Sequence, residues 1–223
     1  MHKVLKFLLI SSLTIITATS AGATQLEAGL AMGYVMAPGA EIMAEVTNFA
    51  DDLPFSLRLG VGHSRPAAGN ALTARQVFIN DATNGTPGSA GRAWTGRLDL
   101  VRGITGGPLT GVRVYGGPRY ASFTANFIYV GGNEDFDVRS KHWGWGGGLE
   151  WRWPVGDVMS FNLGGGADWF LPARLQGHDT AYEPDRITGN ERDDYTYQDA
   201  DAAIDQPELE WRFGVSLSRG FGE

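Results

Sequence analysis

The chain contains segments in which apolar and polar residues alternate. In residues 209–217, the odd positions are large and apolar, and the even positions are charged, hydroxylated or small. This period of two is typical of a β-strand with one apolar and one polar face. Eight such segments follow one another, over residues 25–36, 40–49, 55–64, 93–102, 112–123, 137–153, 158–171 and 209–217.

The connections between these segments alternate in length. Short turns are predicted at 50–54, 104–111 and 154–157, whereas the other connections, except the first, are longer polar loops, notably 65–92 and 172–206. Transmembrane barrels have an even strand number, short periplasmic turns and long extracellular loops. We therefore predict an all-β, eight-stranded antiparallel up-and-down transmembrane β-barrel with its apolar face towards lipid. The alternative is a secreted lipocalin-like barrel or sandwich, whose apolar face would cover a soluble core.

The N-terminus has the pattern of a secretory signal peptide. Lys3 and Lys6 flank the start of an apolar run over 7–16, and Ala21-Gly22-Ala23 resembles a cleavage site. The run is shorter than the roughly 20 residues that a spanning helix needs, which disfavours a membrane anchor. We predict a signal peptide at 1–23 and one barrel domain at 24–223, with both termini in the periplasm.

Composition narrows the function classes. The chain has no cysteine, which excludes disulfides, thiolate metal sites and cysteine nucleophiles. Its formal net charge is −7, and loss of the signal lysines makes the exported part more acidic. No nucleic-acid partner is expected, because phosphate contacts need clustered cations.

The sixth segment predicts where the membrane lies. Its odd positions carry Arg139 and Lys141, followed by aromatic and apolar residues. We expect these two cations at the level of lipid headgroups, with ordinary solvated charge as the alternative. The tryptophans predicted at the membrane interfaces are Trp94, Trp143, Trp145, Trp151, Trp153 and Trp169.

On these patterns the chain resembles the eight-stranded outer-membrane barrels of the OmpA, OmpX and OmpW type, without a periplasmic domain. The resemblance covers residues 24–223. It implies a monomeric, porin-like protein of the Gram-negative outer membrane that contacts lipid, including lipopolysaccharide, and is assembled by the outer-membrane insertion machinery. Such barrels commonly end on an aromatic residue, whereas here Phe221 is followed by Gly222 and Glu223.

The inward faces of the predicted strands are rich in charge. An eight-stranded barrel is just wide enough to be filled by its side chains, and buried charges must pair. We therefore predict a lumen closed by an ionic network, with a narrow conduit as the alternative. The predicted members are Glu27, Glu41, Glu45, Arg58, Arg97, Asp99, Arg113, Arg119, Glu150, Asp168, Glu208, Glu210 and Arg212.

Catalytic residues are not expected. His63 and Ser64 are adjacent and therefore point to opposite faces of a strand, which is a poor arrangement for a nucleophile and its base. Barrel-type lipid A deacylases place His and Ser two residues apart on one face, and we expect no such pair here. His142 is expected to point inward and to meet Asp168 or Glu134.

The long loops are acidic and offer oxygen ligands of the kind that Ca²⁺ prefers. The candidate Ca²⁺ ligands are Asp135, Asp137, Asp193, Asp194, Asp199 and Asp201. The spacing lacks the features of an EF-hand, and solvated loop charge is the alternative. No other cofactor is expected.

The predicted function is a non-enzymatic outer-membrane barrel with a filled lumen and a structural or surface role, whose extracellular loops bind cations or partners. The alternatives are a narrow channel for small or hydrophobic solutes and a lipid A-modifying enzyme.

Overall fold

A computed structural model describes residues 25–49, 53–185 and 190–221 of the 223-residue chain. The predicted signal peptide lies outside these ranges. Eight long strands form the barrel, namely β1 (Gln25–Val35), β2 (Ala37–Thr47), β3 (Ser56–Ser64), β4 (Thr86–Gly103), β5 (Val112–Val130), β6 (Asp135–Val155), β7 (Met159–Phe170) and β10 (Leu209–Phe221).

All neighbouring strands in the barrel are antiparallel, and the sheet closes on itself. Each of β1 to β6 pairs with the next strand, β10 pairs with β7, and β1 pairs with β10 from Leu26–Phe221 to Val35–Arg212. Closure satisfies the backbone hydrogen bonds that an open sheet would leave unpaired at its edges. The predicted eight-stranded antiparallel barrel is therefore confirmed.

Four short elements lie beyond one end of the barrel. Helix α1 (Ala71–Phe78) begins after Asn70, whose side chain accepts hydrogen bonds from two backbone amides. The two-residue strands β8 (Leu175–Gln176) and β9 (Ala181–Tyr182) form a hairpin, and α2 (Tyr197–Ala203) follows. A 3₁₀ turn at Gly107–Leu109 lies at the opposite end. Of the described helices, none has the length and apolar character needed to cross a membrane.

The structure corrects three predicted boundaries. The predicted loop 65–92 contains α1, and β4 begins at Thr86 instead of residue 93. Residues 86–92 are small or polar and do not alternate, yet they pair with β5 up to Val130. The predicted loop 172–206 contains the β8–β9 hairpin and α2. The first connection is a turn at Met36, which has a φ of 62°, so β2 begins at Ala37.

The chemistry of the two faces of β5 inverts part-way along the strand. Its odd-numbered side chains point inward throughout. Near Val112 they include Arg113 and Arg119, whereas near Val130 they are buried and mainly apolar: Ala121, Phe123, Ala125, Phe127 and Tyr129. The outward side chains change the other way, from Val114 to Ser122, Thr124 and Asn126, before two exposed apolar residues, Ile128 and Val130, end the strand. The inversion coincides with the pair Tyr120–Trp143 between β5 and β6.

The inversion divides the molecule into two regions. We use "cap" for α1, α2, the β8–β9 hairpin and the loops on either side of them. The cap also includes the part of β4 before Trp94, the part of β5 after Tyr120 and the part of β6 before Trp143. The main apolar core lies in the cap. Its buried side chains include Val77, Phe78, Phe123, Phe127, Tyr129, Phe136, Val138, Leu175 and Tyr182.

Candidate functional site: a charged lumen beneath an apolar cap

A closed ring of six ion pairs crosses the lumen in the half nearer the cap. Arginines and carboxylates alternate around it in the order Glu41, Arg97, Asp99, Arg119, Asp168, Arg212 and back to Glu41. The nitrogen–oxygen distances are 2.5–2.9 Å. No member is more than 8% exposed. Because the members come from β2, β4, β5, β7 and β10, this six-membered ring ties five strands together across the lumen.

A second closed ring lies nearer the opposite end. It has four members, in the order Glu45, Arg58, Glu150, Arg113 and back to Glu45. Arg58 Nη2 is 2.8 Å from Glu45 Oε2 and 2.6 Å from Glu150 Oε1. This four-membered ring joins β2, β3, β5 and β6, and like the first it contains equal numbers of positive and negative side chains.

Tyr115 lies between the two rings. The guanidinium carbon of Arg97 is 5.6 Å from the centre of its aromatic ring, and that of Arg58 is 5.9 Å away. Below the four-membered ring, Arg152 Nη2 lies 2.8 Å from Glu27 Oε2. The lumen is thus filled by three neutral ionic groups in succession.

Glycines on β6 make room for these groups. A Cβ atom at Gly146 would lie 1.9 Å from Asp168 Oδ1, and one at Gly148 would lie 2.5 Å from the Tyr115 hydroxyl. Both approaches are too short for any side chain. The glycine-rich sequence of β6 is therefore required by the bulky charged and aromatic groups that face it.

The structure places eleven of the thirteen predicted network residues in these ion pairs. The two exceptions are Glu208, which is exposed before β10 begins, and Glu210, which is half-buried at the mouth and has no ion-pair partner among the described residues. The prediction assigned Glu208 to the lumen because the alternation of β10 was extended to the residue before its start, whereas Glu210 lies within β10 but above the six-membered ring. Arg152 was missed, although it lies two residues after Glu150 on the same face.

A buried arginine joins α1 to the rest of the cap. Arg75 is 1% exposed, and its Nη2 lies 2.5 Å from Glu134 Oε2. Its Nη1 donates to the Asn84 carbonyl at 2.8 Å, and its guanidinium stacks 4.3 Å from the centre of the Tyr129 ring. The hydrogen bond from Arg75, followed by one from Asn80, lowers the pKa of Glu134. Nothing in the local sequence pattern predicted this contact between residues 59 positions apart.

All seven tryptophans of the chain point outward and are 39–64% exposed. Trp94, Trp143, Trp145 and Trp169 lie near the cap, as does Trp211, which was not among the predicted residues. Trp151 and Trp153 lie near the opposite end, with their rings stacked at 5.6 Å. Between these two levels the outward side chains are mainly aliphatic, and they include Leu30, Ile42, Leu59, Leu98, Leu149 and Leu163.

The predicted headgroup cations lie just above this outward surface. Arg139 donates to Asp137 Oδ2 at 2.8 Å, so its charge is partly compensated. Lys141 has no ion pair among the described residues. The sequence prediction did not anticipate that Arg139 would pair with Asp137, which lies two residues before it on the same face of β6.

The six candidate Ca²⁺ ligands do not come together. Among the described residues, no group of three or more His, Asp or Glu side chains could hold a metal ion. Asn126 binds both Asp135 and Asp137, at 2.9 and 3.0 Å. Asp199 caps α2 through the Thr196 amide and hydroxyl, which lowers its pKa. Asp201 accepts a hydrogen bond from Gln206.

The expectation about His and Ser was wrong in one respect. Ser140 and His142 are two residues apart on the inward face of β6, with Ser140 Oγ 2.7 Å from His142 Nε2. His142 Nδ1 lies 3.1 Å from the Leu171 carbonyl oxygen instead of meeting Asp168 or Glu134. Both side chains are at most 2% exposed. Their hydrogen bonds satisfy a buried polar pair beside Phe170, and the described partners of the two histidine ring nitrogens are a hydroxyl and a backbone carbonyl, not a carboxylate.

Comparisons with known proteins support the fold. No family model and no curated protein matches the chain. A major outer membrane protein from Thermus thermophilus superposes with a TM-score of 0.73 at 20% identity, covering 90% of this chain and 100% of that one. The chain has the fold of an outer-membrane β-barrel. Neisserial surface protein A gives a lower TM-score of 0.37 at 11% identity, covering 89% of this chain and 96% of that one. Acinetobacter baumannii CarO2 gives a TM-score of 0.40 at 12% identity, covering 91% of this chain and 100% of that one.

Proposed function

We propose that this protein is a non-enzymatic component of the bacterial outer membrane, with a closed lumen and a structural and surface role. The fold that it shares with a Thermus outer membrane protein supports the location. The outward tryptophans and the aliphatic surface between them also support it, because aromatic girdles flank the apolar band of membrane barrels. In this orientation the cap is extracellular and both ends of the chain lie in the periplasm.

The two closed ion-pair rings are the main support for a closed lumen and a structural role. Each charged member is already paired on two sides, so neither ring offers an unpaired charge to a passing ion. Removing one member of either ring would leave buried charge unpaired, which costs about 3–5 kcal/mol. Beyond the six-membered ring, the packed apolar cap covers the mouth.

Planar-bilayer recordings of the refolded protein test this proposal. We expect the wild type to be silent and a variant with Arg58, Arg97 and Arg113 changed to Gln to conduct. Arg174→Gln is the matched control, because Arg174 is a half-exposed cap residue that pairs with Glu183, outside both rings. Steady wild-type conductance would contradict the closed lumen and favour the narrow channel.

The remaining partners follow from the proposed location. Outer-membrane lipid would cover the aliphatic surface, with lipopolysaccharide phosphate near Lys141 and Arg139. The insertion machinery would assemble the barrel, and the protein would act as a monomer. Photo-crosslinking to lipid from position 141 would test this contact, with position 130 as the control, because Val130 is exposed at the end of β5 farthest from the barrel. Equal crosslinking from the two positions would contradict the headgroup assignment.

The lipid A-modifying activity has one observation in its favour, the hydrogen bond between Ser140 and His142. Their burial inside the cap argues against it. Mass spectra of lipid A from cells that express the wild type or Ser140→Ala are expected to be identical. A mass change that requires Ser140 would overturn the non-enzymatic proposal.

A further inference from the structure

An open pocket of about 560 Å³ lies between α2 and the start of β10. We call it the acidic pocket, because its charged lining residues are Asp201, Asp205, Glu208 and Glu210. The last three have no ion-pair partner among the described residues. The carboxylates of Asp205 and Glu208 lie close enough to Glu210 to interact with its charge. A cation bound among these like charges would relieve their mutual repulsion.

A buried amide oxygen in the lining of the acidic pocket also lacks a partner. Gln206 is 7% exposed, and its Oε1 has no hydrogen bond to any described group. Its Nε2 is satisfied, since it donates to the Tyr197 hydroxyl at 3.1 Å and to Asp201. These two hydrogen bonds hold the amide in place. A buried acceptor without a donor is unfavourable, so a ligand that carries N–H groups would stabilise this arrangement.

Backbone hydrogen bonds fix the chain around the acidic pocket. The Asp205 amide donates to the Ala68 carbonyl at 3.3 Å, and the Phe170 amide donates to the Glu208 carbonyl at 2.7 Å. These contacts tie the segment before β10 to the residue that precedes α1 by three positions and to the end of β7. The acceptors are therefore positioned before a ligand arrives, which reduces the entropy lost on binding.

The acceptors of the acidic pocket suit an ammonium group better than a metal ion. Within the described ranges, no group of three or more His, Asp or Glu side chains could hold a metal ion. A primary ammonium group has three N–H donors and no acceptor, so it can bind oxygens that do not converge on one point. The lining of the pocket offers carboxylate oxygens and the Gln206 carbonyl, and its described residues include no Lys or Arg.

We propose that the acidic pocket binds a primary ammonium group, which donates hydrogen bonds to the carboxylates and to Gln206 Oε1. The inference goes beyond the proposed function, which gives this part of the cap no ligand. Leu209 lines the pocket and pairs with Trp169, at the level of the tryptophans near the cap. Both a lipid headgroup and a free amine in the surrounding water can supply an ammonium group at this level.

Solution NMR of the full protein in phosphatidylcholine nanodiscs tests the site, with the diamine putrescine as the probe. We expect saturable shifts of the Gln206 side-chain amide signals. The fully N-methylated analogue of putrescine is the matched ligand, because it carries the same charge without N–H donors, and it should bind more weakly. An equal response to the two ligands, or no saturable response to putrescine, would overturn the proposal.

A pair of charge-removing variants sharpens the test. Asp205→Asn combined with Glu208→Gln removes two exposed carboxylates of the pocket and should lower the affinity for putrescine by about tenfold. Asp179→Asn combined with Glu183→Gln is the matched control, because it removes the same charges from the cap outside the pocket. Equal affinities of the two double variants would contradict the site. If the pocket variant does not fold, the comparison of the two ligands decides alone.

Phosphatidylethanolamine nanodiscs without putrescine identify the source of the ammonium group. Gln206 signals that match those of the putrescine-bound protein would support the site with a lipid headgroup as its ligand. Gln206 signals that shift only after putrescine is added would support the site with a free amine as its ligand. Conductance of the wild type would contradict the closed lumen separately, since it does not depend on this pocket.

Discussion

The same strands enclose the lumen and the cap core, but the side chains inside the two regions differ: those in the lumen are charged and those in the cap core are mainly apolar. On β5, inward side chains form ion pairs in the lumen at Arg113 and Arg119, and they form an apolar core in the cap at Phe123 and Phe127. The outward side chains change in the opposite sense at the same level. Where lipid covers the outside, apolar residues are needed there, and polar groups pair inside. Where water covers the outside, the usual hydrophobic core returns.

The largest expected effect comes from breaking the six-membered ring. Asp99 is fully buried between Arg97 and Arg119, so Asp99→Ala leaves two guanidinium groups short of a partner. We expect the free energy of unfolding to fall by about 3–5 kcal/mol. Urea titration in lipid vesicles, followed by tryptophan fluorescence, measures this.

The matched control for that variant is Asp157→Asn, in the exposed turn between β6 and β7. It removes one negative charge at a position outside both rings. We expect the free energy of unfolding to change by no more than about 0.5 kcal/mol. Equal losses from the two variants would mean that the ring contributes no special stability.

The cap should unfold independently of the barrel. Phe127 is fully buried in the cap core, and Phe127→Ala is expected to destabilise the cap locally by about 3 kcal/mol. Protease cleavage within 65–85 and 171–208 should increase, while the barrel stays resistant to urea. Ile128→Ala changes the next residue, which points outward and is 42% exposed, and it should leave cleavage unchanged. Loss of the whole barrel in Phe127→Ala would show that the two regions fold as one unit.

The stability of the cap should also depend on pH, with a smaller effect than in the variants above. The hydrogen bond from Arg75 depresses the pKa of Glu134 below its usual 4.5 in the folded protein. The stabilisation is therefore complete above that value and is lost as the pH falls through the lower, folded pKa. We expect the cap to become more protease-sensitive over this acidic range.

Glu134→Gln should remove the acid-dependent part of this sensitivity, whereas Asp179→Asn, at an exposed site paired with His178, should not. An acid response that persists unchanged in Glu134→Gln would assign it to another carboxylate, such as Asp199.

The alternation in the sequence was sufficient to predict the barrel, because a strand between lipid and lumen must alternate. It also placed eleven ion-pair residues on the inward face. It could not predict that Arg119 would join Asp99 to Asp168, since register and tilt decide which inward residues meet. The cap was missed because residues 86–92 do not alternate and because Phe123, Phe127 and Tyr129 resemble the apolar face of a spanning strand.

The central claim is that the surroundings of the chain change from lipid to water at the level of Tyr120 and Trp143. The absence of cysteine allows single spin labels to be placed at outward β5 positions 114, 120, 122, 124 and 126 of the reconstituted protein. Collision with oxygen and with a water-soluble nickel complex then reports the surroundings of each label. We predict that the label at 114 collides more often with oxygen, and that the two collision rates become comparable near 120. The labels at 124 and 126 should collide more often with the nickel complex. Oxygen dominance that continues to 126 would contradict the account.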